Sequence, residues 1–237
     1  MIAIKFFHDV ICSFCFPMSY RMRQVQKEMP EVKIIHRSFA LARDSKGHEE
    51  MFGSRENAKN DILSHWVHAN QNDALHRFNI EGMNEADFLF LTSMNSLLAS
   101  KAAGVVGGQT GYWSVFDALQ TGLFVNSQNI DDLNVIESIV KASSIDFKKW
   151  QQTFTDPATL TLVEDDFLLA NTYQLTGDPA LIVNGKYLIS GAQPMDQISQ
   201  AIETIKDKET PIIEVIENNE SEHGSCNMEN GKWVCTD

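Results

Sequence analysis

The residues best suited to chemistry are four cysteines in two pairs. Cys12-Ser13-Phe14-Cys15 is a C-x-x-C, a spacing of about one helical turn. Two sulfurs so placed can close a small disulfide without moving the helix. The attacking species in disulfide exchange is a thiolate. If the pair opens a helix, Cys12 lands against unpaired backbone N–H groups and the positive end of the helix dipole, which favour a thiolate. Cys12 is then expected to be the exposed nucleophile and Cys15, one turn further in, the more buried resolving thiol. A zinc half-site and a pair of inert thiols are the competing readings. Structural zinc takes four ligands, and the other candidates, His223, Cys226 and Cys235, lie far off in the tail. No metal is therefore assigned.

Cys226 and Cys235 flank an Asn230-Gly231 hairpin turn, with each cysteine four residues from it. Facing strands put these thiols opposite each other, within disulfide reach. This second pair is either a redox relay partner of the first or a structural clip on the tail.

The elements that must position the first pair follow from local patterns. Residues 2–8 are rich in β-formers and read as a strand. Ser13 to Met29 reads as a helix that stops at Pro30, with Pro17 expected to bend it. Val32 to Phe39 is a second strand. Residues 54–155 then show helical periodicity, for example Asp61 to Ala69, Glu85 to Ala103 and Tyr112 to Thr121. The glycines at 104, 107, 108 and 111 break the last two apart. Asp131 and Asp132 cap a helix through Ser143, and Pro157 starts another through 175. The pattern then flips: Ala180–Val183 is a strand, Asn184-Gly185 a hairpin turn, Lys186–Ser190 the return strand, and Met195–Lys206 a last helix. Ile212–Ile216 is a further candidate strand. Without the helical block, a four-stranded mixed sheet with helices on both faces remains. The crossover makes its first two strands parallel, and the hairpin makes its last two antiparallel.

Length and composition set outer bounds. The 237 residues, 43% of them hydrophobic, suffice for a substantial core. A net charge of −13 argues against a nucleic-acid binder, which needs a basic face. From Glu209 onward seven acids face one lysine, so about −6 lies in a solvated tail. No run approaches the roughly 18 apolar residues of a membrane span. The first residues lack the features of a signal peptide. A cytoplasmic location is expected, where paired cysteines are more often catalytic, sensing or metal-binding than structural.

The chain resembles the DsbA-family thioredoxin-like proteins, and within them the FrnE-like cytoplasmic branch of dithiol–disulfide oxidoreductases. The resemblance rests on Phe7-His8-Asp9-Val10-Ile11-Cys12-Ser13-Phe14-Cys15-Phe16-Pro17, His36-Arg37-Ser38-Phe39-Ala40-Leu41, Thr176-Gly177-Asp178-Pro179-Ala180-Leu181-Ile182-Val183-Asn184-Gly185-Lys186-Tyr187 and Ser190-Gly191-Ala192-Gln193-Pro194. The stretches around Phe116-Asp117-Ala118-Leu119 and Ile130-Asp131-Asp132 are similar to that family's helical domain. The likeness runs to about residue 206. It implies an α/β thioredoxin-like fold with a large all-helical insertion. A discontinuous domain (1–45 and 165–210) then encloses an insertion (46–164) and precedes an acidic tail (211–237).

The resemblance further implies that Pro179 is a cis-proline facing the cysteine pair, with Asp178 and Phe14 at the substrate. A cis bond costs little at an X–Pro link, and the backbone of Asp178 is then free to pair with an extended peptide. Asp9 matches a family acid, either a helix cap or a proton relay. Two departures bear on redox direction. An acid, Asp178, precedes the proline where relatives commonly carry an apolar residue, and its charge disfavours a Cys12 thiolate. Ser13 and Phe14 supply no histidine. Both point to a less oxidising disulfide. His8 and His36 read as packing residues, and Gly107-Gly108 as a helix connector rather than a phosphate loop.

The expected activity is disulfide exchange or isomerisation on protein or peptide thiols. It needs a cellular reductant or oxidant and no cofactor beyond glutathione as a candidate co-substrate. Two alternatives stay open. Kappa-class glutathione transferases and hydroxychromene-carboxylate isomerases share the inserted architecture, but those sites generally use Ser where Cys12 stands. A non-enzymatic, chaperone-like peptide binder would use an apolar groove in the helical block.

Overall fold

Strand β1 (Ile2–His8) forms the centre of the molecule because both of its faces are covered. The computed structural model describes residues 2–209, 225–229 and 232–236. Around β1 run α1 (Cys15–Glu28), β2 (Val32–Ser38), α2 (Ser45–Phe52), α3 (Arg55–Asn72), α4 (Ile80–Glu85), α5 (Met94–Phe124), α6 (Leu133–Ala142), α7 (Phe147–Phe154), α8 (Pro157–Thr172), β3 (Ala180–Val183), β4 (Tyr187–Ser190) and α9 (Met195–Lys208). The sheet order is β2-β1-β3-β4. β1 pairs parallel with β2, Ile2 opposite Val32, and antiparallel with β3, Ile4 opposite Val183. β3 and β4 pair antiparallel. This is the four-stranded mixed sheet expected, with the helical block between β2 and β3.

Alternate side chains of β1 enter different cores, as strand pleating requires. Ile4 and Phe6 join Met18, Met22 and Val25 of α1 and Ile198, Ile202 and Ile205 of α9. Phe7 points the other way, onto Ala170 of α8 with Ala180 and Ile182 of β3. A strand buried on both faces has few polar positions, which explains the weak alternation of residues 2–8. Truncating Phe7 to Ala would cost about 3–5 kcal/mol.

Several helices start where acids can cap them. Asp132, Asp146 and Asp156 accept first-turn backbone N–H groups of α6, α7 and α8. Some boundaries differ from expectation. α1 begins at Cys15, so Pro17 lies in its first turn, where a missing N–H forfeits no intrahelical bond. The helix expected from Glu85 begins at Met94. The backbone before it is diverted, because Ser93 N–H donates to the Ala42 carbonyl (2.8 Å) and its hydroxyl accepts from Ala42 N–H (3.0 Å). The glycine cluster does separate two helical segments of α5, which meet at a kink. Gly108 adopts φ +62°, and a Cβ at Gly111 would lie 2.5 Å from the Ala103 carbonyl. The return strand starts at Tyr187, one residue late, after Asn184 and Gly185 take positive φ values.

In the tail, β5 (Ser225–Glu229) and β6 (Lys232–Thr236) pair antiparallel with Cys226 opposite Cys235. That backbone register is the one expected of a clip or a relay. The Asn230-Gly231 turn and the candidate strand 212–216 lie outside the described residues. No described helix is long and apolar enough to cross a membrane.

Candidate active site

The chain leaves β1 at His8, turns through Asp9-Val10-Ile11 and enters α1 at Cys15. Cys15 N–H donates to the Cys12 carbonyl at 3.1 Å, closing the turn that holds the two sulfurs together. Both are free thiols. Cys12 is 5% exposed and Cys15 fully buried. The order of burial is the expected one, but Cys12 is not openly exposed. Ile11, Phe14, Leu41, Phe52, Ile62 and Phe90 wall a cavity of about 270 Å³ that Cys12 and Asp178 also line. Ser13, His48 and His65 complete it. The helical insertion supplies His48, Phe52, Ile62, His65 and Phe90 of that wall, so the thiol faces the cavity rather than open surface.

The loop before β3 closes the other side. The Asp178–Pro179 peptide is cis. It brings the Asp178 carbonyl to 3.7 Å from Cys12 Sγ, which donates to it. Asp178 also turns its carboxyl inward: Cys15 Sγ donates to Oδ2 at 3.1 Å and Asp9 N–H to the same oxygen at 2.7 Å. The other oxygen, Oδ1, is buried with no hydrogen-bond partner. The acid expected beside Cys12 thus contacts both thiols, one through its backbone and one through its side chain. Among the described residues, Cys12, Cys15 and Asp178 form a group whose ligand atoms all lie within 4.8 Å of one another. Asp178 stands 163 residues from Cys15, so no local spacing marks it as a third ligand candidate.

Asp9 does not cap α1. The N-cap position is Phe14 and has no side-chain cap bond. Asp9 is fully buried; its carboxylate accepts from Ser93 Oγ (2.6 Å), Leu41 N–H (2.8 Å) and Ile11 N–H (3.3 Å). The capping reading fails because Leu41 and Ser93 fold back onto Asp9 from 32 and 84 residues away. Neither partner carries a local signal in the sequence.

Burial dominates the site's electrostatics. It pushes the Cys12 thiol up to about 11, and the charge of Asp178 adds to the rise, as expected from the sequence. Bonds from the Cys15 thiol and N–H act in the opposite direction. Burial raises Cys15 as well. Burial and then the Asp9 charge lift Asp178 to about 7. Burial lifts Asp9 to about 6 against the pull of its Ser93, Leu41 and Ile11 bonds. The helix end is therefore not enough to make Cys12 acidic. His8 and His36 share a 2.9 Å bond and pack on Tyr112 and Phe116, so they are core residues, as expected.

The arrangement is that of a dithiol with a carboxyl group poised on its inner sulfur. A family model, DSBA-like thioredoxin domain, matches residues 3–203. The chain belongs to the DSBA-like thioredoxin family. Solved structures of similar fold accord with this. A candidate protein disulfide isomerase from Nitrosomonas europaea has a TM-score of 0.74 at 15% identity, covering 88% of this chain and 99% of its own. A candidate DsbA oxidoreductase from Streptomyces coelicolor has a TM-score of 0.69 at 19% identity, covering 99% of both chains. The cytosolic disulfide reductase DsbM from Pseudomonas aeruginosa, also solved with GSH, has a TM-score of 0.67 at 13% identity, covering 86% of this chain and 98% of its own. No curated protein matches the chain.

Proposed function

We propose that this protein is a thiol–disulfide oxidoreductase of the FrnE-like branch, acting on protein or peptide disulfides in a reducing, cytoplasmic setting. One observation carries the reading: two free thiols one turn apart face a cis-proline loop whose carbonyl and carboxyl contact both sulfurs. Cys12, the thiol that lines the cavity, attacks a substrate disulfide as it loses its proton to solvent and forms a mixed disulfide, releasing one substrate thiolate that takes a proton back from solvent. Cys15 then attacks Cys12 Sγ, closing the Cys12–Cys15 disulfide and releasing the second thiolate. The Cys15 proton passes to Asp178, whose oxygen it already contacts and whose pKa near 7 suits proton exchange at neutral pH. Asp9 holds the Asp178 carboxyl in place through its N–H and tunes it by charge.

Binding of an extended substrate in the cavity displaces the Cys12 thiol from the Asp178 carbonyl and offers that carbonyl to the peptide. Phe14 borders the same cavity and contacts the residue flanking the substrate sulfur. An external thiol reductant, glutathione being one candidate co-substrate, supplies two electrons to reopen the enzyme disulfide. With both thiols shifted up, reduction of substrate disulfides is favoured over their formation; isomerisation is the same first step followed by attack of another substrate thiol.

Insulin-disulfide reduction tests the reading. Wild type should turn over, Cys12→Ser should be inactive, and Cys15→Ala should accumulate a substrate-linked mixed disulfide on Cys12 by mass spectrometry. Equal turnover by wild type and Cys12→Ser would overturn it.

A further inference from the structure

The same cluster has a second capability that does not depend on turnover. We propose that the reduced Cys12–Cys15 dithiol and Asp178 together form a binding site for a thiophilic divalent cation of the zinc class, and that closing the disulfide abolishes it. The geometry is close to what such an ion requires. Zinc holds sulfur at about 2.3 Å and carboxylate oxygen at about 2.0–2.2 Å, which places tetrahedral ligands roughly 3.5–3.8 Å apart. Here all three ligand atoms lie within 4.8 Å of one another, and Cys15 Sγ is already 3.1 Å from Asp178 Oδ2. Side-chain adjustments of about an ångström complete the set.

Three further observations favour an ion over a mere dithiol. Asp178 Oδ1 is buried without a partner, so the carboxyl of this cluster keeps one acceptor unsatisfied. No hydrogen bond or ion pair among the described residues joins a lysine or arginine to Asp9 or Asp178, so no side-chain cation is already bonded to these acids where an ion would sit. The cavity beside Cys12 and Asp178 also leaves space for a water or small ligand as the fourth donor. Two thiolates select a soft or borderline ion over magnesium or calcium.

The reaction is an exchange of protons for metal. Both thiols lose their protons to solvent as the ion enters, and Asp178 loses its own when it carries one; nothing is oxidised. Affinity therefore rises with pH. Release is redox-linked. A disulfide R–S–S–R′ takes two electrons from the dithiolate and two protons from solvent, leaving R–SH, R′–SH, the Cys12–Cys15 disulfide and a free ion.

The test uses the full chain carrying Cys226→Ser and Cys235→Ser, so that the tail thiols add no ligands. Zinc ion is titrated into the reduced protein in competition with a chromophoric chelator. The expected result is one ion per chain, loss of thiol reactivity towards an aromatic disulfide reagent, and no stoichiometric binding after oxidation or in Cys12→Ser. Asp178→Asn should weaken binding by about tenfold or more. Cobalt(II) bound to the parent protein gives a readout that does not rely on a variant's folding: its charge-transfer intensity should correspond to two thiolates in a tetrahedral field. Absence of a stoichiometric site in the reduced protein, equal affinity in folded Asp178→Asn, or an octahedral cobalt spectrum would each overturn the proposal. Loss of insulin reductase activity would not bear on it, since binding is read directly.

Discussion

Two regions bury carboxylates, and they neutralise them differently. Asp166 of α8 is fully buried, accepts from Arg37 (2.8 Å) and Ser38 N–H (2.8 Å), and pairs with Lys101 of α5. It ties the insertion to β2. Asp9 is buried and Asp178 half-buried beside the cysteines, and among the described residues their bonds come from N–H, hydroxyl and thiol groups. A buried acid balanced by cations is held in one state and serves the fold. A buried acid balanced by a proton can change state and serves chemistry. Arg37 and Ser38 of the first site end β2, and Asp9 of the second follows the paired strand β1, so the contrast arises from where the cations were placed.

The largest effect should come from removing a cation from the first region. Lys101→Ala leaves Asp166 with less compensation and should cost about 3–5 kcal/mol in chemical denaturation. Insulin turnover per folded molecule should stay near wild type, because Lys101 touches neither sulfur. A loss under about 1 kcal/mol would mean that Asp166 is not a committed charge, and the contrast between the regions would fail.

The next effect belongs to the second region and appears as pH dependence. The folded pKa of Asp178 lies near 7, above its ordinary 3.8. The native state therefore binds more protons than the unfolded chain between those values, and stability falls as pH rises through this window. The contribution is fully present below about 4 and lost above about 7. Asp178→Asn should remove this slope, worth on the order of 2–4 kcal/mol, while a control at Asp73, whose pKa is lowered through its Arg77 bonds, should alter stability in the opposite sense, as pH falls. The same Asp178→Asn change should bring the Cys12 thiol down from about 11, because one of its neighbouring charges is gone. Thiolate absorbance against pH reads that shift. An unchanged Cys12 titration would show that burial alone sets it.

The difference between the regions was only half legible from the sequence. Strands, hairpin, caps and the cysteine pair were readable because turn residues, alternation and Asp caps act within a few positions. The loop Thr176–Ala180 was readable through family likeness, and its cis bond and place beside Cys12 follow it. What stayed hidden was long-range. Asp9 looked like a helix cap at three residues' distance, yet its partners sit on Leu41 and Ser93. Cys12 looked exposed because Phe52, Ile62 and Phe90, which enclose it, belong to the insertion. The start of α5 was misplaced because the backbone bond of Ser93 to Ala42 outweighs helical periodicity. Cys226 and Cys235 were placed opposite each other by turn chemistry alone, and β5 and β6 have that register.

The smallest effect tests whether the two acids of the second region sense each other. Ser93→Ala deletes the 2.6 Å hydroxyl bond to Asp9 and the acceptor for Ala42 N–H, at about 1–2 kcal/mol of stability. That hydroxyl holds the Asp9 pKa down, so its loss should move Asp9 above about 6. A more protonated Asp9 repels Asp178 less, since the Asp9 charge is what raises Asp178 after burial itself. Asp178 should then titrate below about 7, in the direction opposite to Asp9. Carboxyl-carbon NMR titration follows both groups in one sample. Opposed shifts would establish a proton-sharing pair behind Cys15, whereas movement of Asp9 alone would leave Asp178 governed by burial and the thiols.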